Sequence, residues 1–575
     1  MAITRDLKVK LPKENRRNIP RGVIFATLGV LLIVVIGFFY VKKYGIPFEG
    51  QLKALSDRLS FGSKEERKEV HLCIDKTLSS GFTDELEAWV DSYEPEDSDK
   101  EIIISTRQFD KEPGKDCDLV VSSSDEGKME LAWERFYFIV VNVKSGLSNL
   151  SMGQLEQLLG GTPNDLTNKG YSVVIDSDAE SYMEREFGIG VTVKVVSSGI
   201  AEVKSNPKVI AILPFGDFSA RTKLVSVENV SLLNMAEEDD YALVDRIWVK
   251  EDNDHKDIRL FSEVQDMLGS VNYDSEKVTS VVLTGTSVMG ARGLYQKIVA
   301  TGDNLYPVRE VASILEQADI AHVSNEASFT ENCVQYQGTL VFCGTVGSFE
   351  AFKYAGIDVI GLTGNHILDY GSENFIKTLD MYDGAGIKYF GGGRNETEAF
   401  TPAVIEINGL KFAFLGFNAI PPADYYATST TPGSAEMNKT KMVSAITSAK
   451  EKADFVFVDM QWGAEYQHEP IGYQYEYGRA AIDAGADIVT GVHPHWVQPV
   501  EYYNNGLVFY SLGNFLFDQM WSQETREGVM VRHYFYEDRY VGYELIPTMT
   551  FEGAQPRVVT GADADRIEGY VVSGI

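Results

Sequence analysis

Residues 488–495 read IVTGVHPH, a short apolar run that is followed at once by two histidines. Short runs rich in Val, Ile and Phe, bounded by polar clusters, are typical of buried β-strands. The pattern recurs from Val278 onward, and helical patterns lie between several of the runs, which predicts an α/β fold. The other runs are SVVLTGTSV (280–288), IAHVSNE (320–326), VIGLTGNH (359–366), FAFLGFN (412–418), DFVFVDMQWG (454–463) and LVFYSLGN (507–514).

Most of these predicted strands end in a short polar cluster. Because α/β folds place their active sites at the carboxyl ends of strands, the clusters predict a site. A His-x-His pair and an Asn-His pair on loops at one sheet edge suit Mn²⁺, Fe²⁺ or Zn²⁺. Such a metal would activate water or polarise a phosphoryl or carbonyl oxygen. The clusters are Thr286 with Ser287; Asn325 with Glu326; Gly364, Asn365 and His366; Gln461, Trp462 and Gly463 with Glu465; His493, Pro494 and His495; and Gly513 with Asn514.

Longer segments over about residues 280–520 resemble the CapA-type poly-γ-glutamate synthesis proteins. They include LTGTSVMGAR, SNEASF, GLTGNHILDYGSENFIKTLDM, QWGAEY, AGADIVTGVHPHWVQPVE and VFYSLGNFLFD. That family is related to the calcineurin-like metallophosphatases, so the resemblance implies a four-layer α/β/β/α sandwich with metal at the strand ends. It also implies a catalytic acid at His366, a role that suits histidine because its ordinary pKa lies near neutral pH. The metal ligands that it implies are Glu326, Asn365, His493 and His495.

Two positions depart from the family pattern. The family has Gly-Asp where this chain has Gly285-Thr286, and it has His where this chain has Gln461. A bridging carboxylate is what holds two divalent cations together, so its loss argues against a two-metal centre. Asp459 lies two residues before Gln461, and strand alternation predicts that it shares the same face and partly compensates. The additional candidate residues of the site are therefore Thr286, Asp459, Gln461, Glu465 and Asn514.

Residues 22–41 read GVIFATLGVLLIVVIGFFYV, which is 20 residues without a charge. This length matches the roughly 30 Å hydrocarbon core of a bilayer and predicts a transmembrane helix. The basic segment before it predicts a cytoplasmic N-terminus, with the bulk of this single-pass cell-membrane protein extracytoplasmic. A cleaved signal peptide is the alternative, but Phe-Phe-Tyr-Val-Lys-Lys follows instead of the small residues of a cleavage site.

In the first half, short apolar runs alternate with amphipathic stretches, which predicts a second α/β domain. DLVVSSS (118–124), FYFIVVNVKSGLSNLSMGQLEQLLGG (136–161) and NPKVIAILPF (206–215) resemble type 2 periplasmic solute-binding proteins. Hydroxyl and backbone N–H groups at strand ends often hold small anions, so the serines there predict either a site for a small anionic ligand or ordinary loop residues. They are Ser122, Ser123 and Ser124, with Ser197, Ser198 and Gly199. The predicted organisation is a cytoplasmic basic tail (1–21), the transmembrane helix (22–41), a juxtamembrane spacer (42–68), the solute-binding-like domain (69–250), a linker (251–277) and the CapA-like domain (278–560).

The formal net charge is −32, and residues 1–50 carry a net charge of +6, which leaves −38 for the remainder. Nucleic-acid binding needs a basic face, so a nucleic-acid partner is excluded. An acidic domain also repels an anionic polymer at long range. If the protein handles such a polymer, contact must run through a metal or a local basic patch.

The four cysteines fall as one pair in each half of the chain: Cys73 with Cys117, and Cys333 with Cys343. No C-x-x-C spacing is present, so a structural zinc site is not expected. Outside the cytoplasm, two intradomain disulfides are expected, and four buried free thiols are the alternative.

Two functions fit these patterns. One is a metal-dependent hydrolase or transferase of capsule biosynthesis, which acts on an anionic extracellular polymer or its precursor. The other is a catalytically degraded factor that binds or escorts polymer, because two ligand positions of the family are replaced. Other envelope-biosynthesis proteins are expected partners in either case.

Overall fold

The computed structural model describes residues 4–5, 68–76, 78, 86–90, 102–109, 117–124, 129–190, 193–234, 241–251, 271–290, 292–334, 340–420 and 422–573. The predicted transmembrane helix at 22–41 lies outside these residues. Among the helices within these ranges, none is both long enough and apolar enough to cross a membrane. The α/β class expected from the sequence is confirmed.

The chain divides into two compact units. The first comprises residues 1–133 and 246–270, and the second comprises residues 134–245 and 271–575. The predicted domain boundaries at 69–250 and 278–560 stay predictions, and the compact units divide the chain at other points. Residues 134–245 thus lie in the same unit as the whole segment that resembles the CapA-type proteins.

The first unit is built on four strands together with residues 246–251: β1 (Thr4–Arg5), β2 (Lys68–Asp75), β3 (Ile102–Phe109) and β4 (Leu119–Ser122). β2 runs parallel to both β3 and β4, and β4 pairs antiparallel with residues 248–251. Leu72 and Ile74 are buried in its apolar core. A disulfide joins Cys73 to Cys117.

Residues 134–245 form the first part of the second unit, and the strands at their two ends extend into residues of the first unit. Their elements are β5 (Glu130–Asn142), β6 (Asn149–Leu150), α1 (Met152–Leu159), α2 (Asp165–Asn168), β7 (Ser172–Asp176), α3 (Glu180–Phe187), β8 (Lys194–Val196), α4 (Gly199–Ser205), β9 (Val209–Pro214), β10 (Thr222–Val227) and β11 (Val244–Glu251). β5 pairs antiparallel with β9 and β10, and β7 runs parallel to β8 and β9. Ser151 and Gln154 begin α1 with a reciprocal capping box, which satisfies two backbone N–H groups.

The rest of the second unit, residues 271–573, contains two sheets. Its elements up to residue 393 are β12 (Val278–Leu283), β13 (Thr286–Ser287), α5 (Arg292–Thr301), α6 (Ala312–Glu316), β14 (Ile320–Asn325), β15 (Phe329–Thr330), β16 (Gly344–Thr345), α7 (Glu350–Tyr354), β17 (Val359–Gly361), α8 (Gly371–Ala385), β18 (Lys388–Phe390) and β19 (Gly392–Gly393). The remaining elements are α9 (Glu396–Ala399), β20 (Ala403–Ile407), β21 (Leu410–Asn418), β22 (Gly433–Ser434), α10 (Lys439–Lys450), β23 (Phe455–Gln461), α11 (Gly472–Asp483), β24 (Ile488–Val492), β25 (Val497–Tyr503), β26 (Gly506–Leu512), β27 (Glu527–Tyr536), β28 (Arg539–Phe551), β29 (Gln555–Val558) and α12 (Ala562–Val572).

The first of these sheets has the strand order β18-β17-β14-β12-β27-β28-β29, and the second has the order β20-β21-β23-β24-β26-β25. The central strands of each sheet are parallel, from β18 to β12 in the first and from β21 to β26 in the second. Parallel strands buried on both faces read as continuous apolar runs, which explains the sequence pattern.

Apolar side chains of both sheets share one core, in which Phe412 and Phe457 of the second sheet meet Phe535 of the first. Helices cover the outer faces: α8 packs on the first sheet, and α10 and α11 pack on the second. The layers therefore run helix, sheet, sheet, helix. A second disulfide, Cys333–Cys343, lies in the connection between β15 and β16.

Candidate functional site

Residues that follow strands of both sheets meet at one edge of the second unit. β14 is followed by Glu326, β17 by the segment containing Asn365 and His366, and β23 ends at Gln461. This is the edge at which parallel strands end, as α/β sites require. Gly364 permits the close approach, because a Cβ there would lie 2.5 Å from the Cα of Glu326.

Gln461 connects two of the predicted ligands. Its Nε2 donates to Glu326 Oε1 at 2.6 Å and to Asn365 Oδ1 at 2.9 Å. Glu326 and Gln461 are fully buried, and Gln461 Oε1 makes no hydrogen bond within the described part of the chain. Burial raises the pKa of Glu326, and the nearby charge of His366 and the amide of Gln461 offset only part of that rise.

His493, His495 and Glu465 form a second group beside this one. Ligand atoms of the three side chains all lie within 4.8 Å of one another. Both histidines are buried, and Glu465 is exposed. Burial lowers the pKa of His493 to about 3 and that of His495 to about 4, so both imidazoles are neutral near pH 7. The neutral imidazole is the form that binds metal.

Neighbouring groups orient His495. Asn514 Nδ2 donates to the carbonyl of Thr525, which leaves Asn514 Oδ1 to accept from His495 Nδ1 at 2.9 Å. Nε2 of His495 is thereby the nitrogen that carries the lone pair, and such an outer partner is typical of metal-binding histidines. Phe517 stacks on the ring with centroids 5.2 Å apart, and Tyr466 stacks on it at 5.9 Å.

His493 has an unusual backbone. Its φ is 92°, and that of His495 is 60°, both in the region that favours glycine. Backbone strain of this kind costs roughly 1–3 kcal/mol per residue and concentrates at functional sites. The backbone N–H of His493 donates to Thr286 Oγ1 at 3.2 Å. The hydroxyl of Thr286 thus supports the histidine loop.

His366 belongs to a polar network that the strand-end motifs do not predict. Its Nδ1 lies 2.8 Å from Asp369 Oδ2. Asp369 also accepts from the backbone N–H of Phe342 at 2.8 Å and from the hydroxyl of Tyr425 at 3.1 Å. Burial by itself lowers the pKa of His366, but Asp369 and Glu326 outweigh it, so the net pKa is raised. The signal available in the sequence was the His-x-x-Asp spacing.

Asp459 lies on the same face of β23 as Gln461, but it contacts other groups. Its Oδ2 is 3.0 Å from His322 Nε2, and its Oδ1 accepts from the hydroxyl of Thr490. All three side chains are buried between the two sheets. The carboxylate is therefore engaged beneath the site, where it joins β23 to β14.

One group of side chains at this edge has the donors of a metal site. Glu465, His493 and His495 offer one oxygen and two nitrogen donors, a set that fits Zn²⁺, Fe²⁺ or Mn²⁺. Glu326 Oε1 and Asn365 Oδ1 instead accept hydrogen bonds from the amide of Gln461. The site thus combines a three-residue donor group, an amide-bridged pair and a histidine whose pKa is raised.

Comparison with known proteins gives the family. Residues 280–519 match the family model described as the bacterial capsule synthesis protein PGA_cap. The capsule biosynthesis protein CapA of Bacillus anthracis is 31% identical over 302 residues, which are 51% of this chain and 72% of that protein. The PGA biosynthesis protein CapA of Bacillus subtilis is 29% identical over 276 residues, 48% of this chain and 72% of that protein.

Among solved structures, a 5'-nucleotidase precursor from Thermus thermophilus is similar at 14% identity and a TM-score of 0.31, covering 48% of this chain and 56% of that one. That score is too low for the likeness to carry any argument. The family model matches the segment whose strand ends build the site. The chain belongs to the CapA-type family of bacterial capsule, or poly-γ-glutamate, synthesis proteins.

Proposed function

We propose that this protein is a membrane-anchored, extracytoplasmic enzyme of capsule or related envelope-polymer biosynthesis. It is a metal-dependent hydrolase or transferase, built on a metallophosphatase-like fold, and its substrate is an anionic polymer such as poly-γ-glutamate or a precursor. One observation carries the proposal: two neutral histidines and Glu465 converge beside His366, whose pKa is raised.

The residues divide the chemistry between them. A divalent cation held by Glu465, His493 and His495 would supply Lewis acidity to a carbonyl or phosphoryl oxygen of the substrate. Because Asp369 accepts from Nδ1 of His366, the proton to be transferred is held on Nε2. In hydrolysis of an amide, the C–N bond breaks, water oxygen forms the new C–O bond, and His366 delivers a proton to the departing nitrogen.

Positive charge at the site would offset the repulsion between an acidic protein and an acidic polymer. The bound cation is one source. The guanidinium of Arg292 is another, since it lies 5.5 Å from the ring centroid of Phe342, and that ring meets His366 at 4.7 Å. We assign Arg292 the role of binding a substrate carboxylate or phosphate beside the proton donor.

The test is direct. Purified full-length protein is incubated with poly-γ-glutamate and with Mn²⁺, Fe²⁺ or Zn²⁺ in turn, and new amino groups are counted with an amine-reactive dye. Cleavage should require metal, and His366→Gln should reduce kcat about 10²–10⁴-fold with little change in KM. Arg292→Gln should instead raise KM. Metal-loaded protein that leaves the polymer and its precursors intact would remove the enzymatic proposal.

The second candidate function is a binding factor without catalysis. The bridge of Gln461 to Glu326 and Asn365 favours it, because those oxygens are engaged by an amide. In that case poly-γ-glutamate should bind without turnover, and binding should depend on Arg292 while His366→Gln leaves it unchanged. Equilibrium dialysis of labelled polymer against both variants separates the two functions.

The membrane anchor and the first half complete the proposal. A single span at 22–41 would place the site outside the cell membrane, where a capsule polymer is assembled, and other envelope-biosynthesis proteins would be its partners. Protease added to intact cells should remove the C-terminal region and spare the N-terminal tail.

The solute-binding-like half would take a small anionic ligand, which calorimetric titration with phosphate or glutamate tests.

A further inference from the structure

The amide nitrogen of Gln461 lies between two oxygens in the way that a cation would. It is 2.6 Å from Glu326 Oε1 and 2.9 Å from Asn365 Oδ1. A primary amide has two N–H groups, and each is committed to one of these acceptors. The opposite amide orientation would turn Oε1 toward the carboxylate of Glu326, so the acceptors fix which end faces them.

The bridge is held in place by the fold. Gln461 is the last residue of β23 and is in register with Asn418 of β21 and Val492 of β24. Its side chain is fully buried, as is that of Glu326. The strand register fixes the backbone of Gln461, and burial leaves its amide no solvent to turn into.

We infer that Gln461 occupies one half of the metal site, so that this protein binds a single divalent cation, through Glu465, His493 and His495. The inference rests on the proposed function, since it concerns the same site. It goes further by assigning the number of metals and the residue that sets it.

Distances around the amide argue against a second cation while the amide stays. A metal bound to carboxylate oxygen lies at about 2.0–2.2 Å from it. An ion bound to both Glu326 Oε1 and Asn365 Oδ1 would compete with the Gln461 nitrogen, which lies 2.6 Å from the first oxygen and 2.9 Å from the second. A bridging carboxylate is also missing, because Thr286 supplies a hydroxyl that accepts from the backbone of His493.

Metal stoichiometry tests the inference without any substrate. Full-length protein in detergent is loaded with Zn²⁺ or with Mn²⁺, freed of excess ion, and analysed by mass spectrometry for metal per chain. We expect one equivalent, lost in His493→Ala and in His495→Ala, and kept in Asn365→Ala. Electron paramagnetic resonance of the Mn²⁺ form should give the spectrum of an isolated ion.

Two variants should open the second half of the site. Gln461→Ala removes the amide, and Gln461→His adds an imidazole ligand, so each should bind a second equivalent, and the Mn²⁺ spectrum of Gln461→His should show coupling between two ions. Gln157→His is the matched control, because it adds an imidazole at an exposed position of α1 and should leave one equivalent. Circular dichroism and a thermal melt establish that each variant is folded.

Each outcome is decisive. Two equivalents in the unmodified protein would overturn the inference and leave the proposed metal-dependent function standing, whereas no bound metal would overturn both. One equivalent that is lost in Asn365→Ala but kept in His493→Ala would place the cation at Glu326 and Asn365 instead. One equivalent in both folded Gln461 variants would mean that the amide is not what excludes the second ion.

Discussion

The pKa values of three histidines of the site are shifted in different directions from the ordinary value. Burial lowers the pKa of His493 to about 3 and that of His495 to about 4. His366 is also buried, but Asp369 and Glu326 raise its pKa above the ordinary value. Environments that separate the pKa values of neighbouring groups are the usual mark of divided roles. At this edge, a histidine with a raised pKa lies near two histidines whose imidazoles are neutral at pH 7.

The first prediction concerns Asp369, which positions His366. Asp369→Asn removes the charge that stabilises the protonated imidazole, so the pKa of His366 should fall. In the unmodified protein, protonation of His366 stabilises the fold fully below the unfolded-state pKa of about 6.5, and this contribution is lost as pH rises through the raised folded pKa. The measurement is a titration of the His366 ring carbon by nuclear magnetic resonance in metal-free protein.

The control for this titration is Asp383→Asn, because Asp383 is an exposed acid that pairs with Arg394. It should leave the pKa of His366 where it is. An unchanged pKa in Asp369→Asn would mean that the hydrogen bond does not set the protonation of the proposed acid.

At the scale of elements, the two sheets of residues 271–573 are joined by polar groups as well as by apolar packing. His533 of β27 lies in the shared core, where its ring contacts Phe457 of β23 and Phe509 of β26. It is fully buried, and its Nδ1 lies 3.0 Å from the hydroxyl of Tyr540. Burial lowers the pKa of His533 to about 3, so the packing of the sheets depends on a neutral imidazole.

The second prediction is that His533 makes the fold sensitive to acid. Below about pH 6.5 the unfolded chain binds a proton at this residue and the folded chain does not, so stability is lost as pH falls from there toward 3. His533→Gln cannot titrate, and between about pH 7 and pH 5 it should lose about 2 kcal/mol less of the free energy of unfolding. Urea unfolding at both values of pH measures this.

Tyr540→Phe is the matched variant, because it removes the hydroxyl partner and keeps the imidazole. It should retain the pH dependence of the unmodified protein at a lower overall stability. Equal acid sensitivity in His533→Gln and in the unmodified protein would show that His533 is protonated in the folded state as well.

At the scale of the whole molecule, the second unit combines residues 134–245 with the segment that matches the family. A buried lysine joins them: Lys223 of β10 donates to Ser148 Oγ at 2.8 Å, and its Nζ lies 3.9 Å from Glu568 of α12. The hydroxyl of Ser148 donates to the same carboxylate. Burial lowers the pKa of Lys223, and Glu568 opposes that shift. The C-terminal helix is thus tied to the first part of the unit.

The third prediction follows from this buried pair. Glu568→Gln leaves Lys223 without a counter-charge, and it should lower the free energy of unfolding by about 3–5 kcal/mol. The double variant Lys223→Met with Glu568→Leu replaces both charges by apolar groups and should recover most of the loss. Urea unfolding of the three proteins gives the comparison. A Glu568→Gln variant as stable as the unmodified protein would show that the pair does not stabilise this unit.

The amino-acid sequence by itself determined the strands and the residues at their ends. Apolar runs bounded by polar clusters depend on local spacing, so IVTGVHPH was recognisable as β24 followed by a His-x-His pair. The family followed from the same motifs, because their order along the chain is itself a signature. The replacement of two family ligands by Thr286 and Gln461 was also evident from the sequence.

The tertiary structure alone decided which side chains meet. Gln461 bonds to residues 135 and 96 positions away in the chain, which follow strands of the other sheet. Asp459 shares the predicted face but pairs with His322, and the carboxylate on His366 comes from Asp369. Such partners depend on how the two sheets stack and on which donors the stacking brings within hydrogen-bonding distance of an acceptor. Those are properties of long-range packing, and local sequence spacing does not specify them.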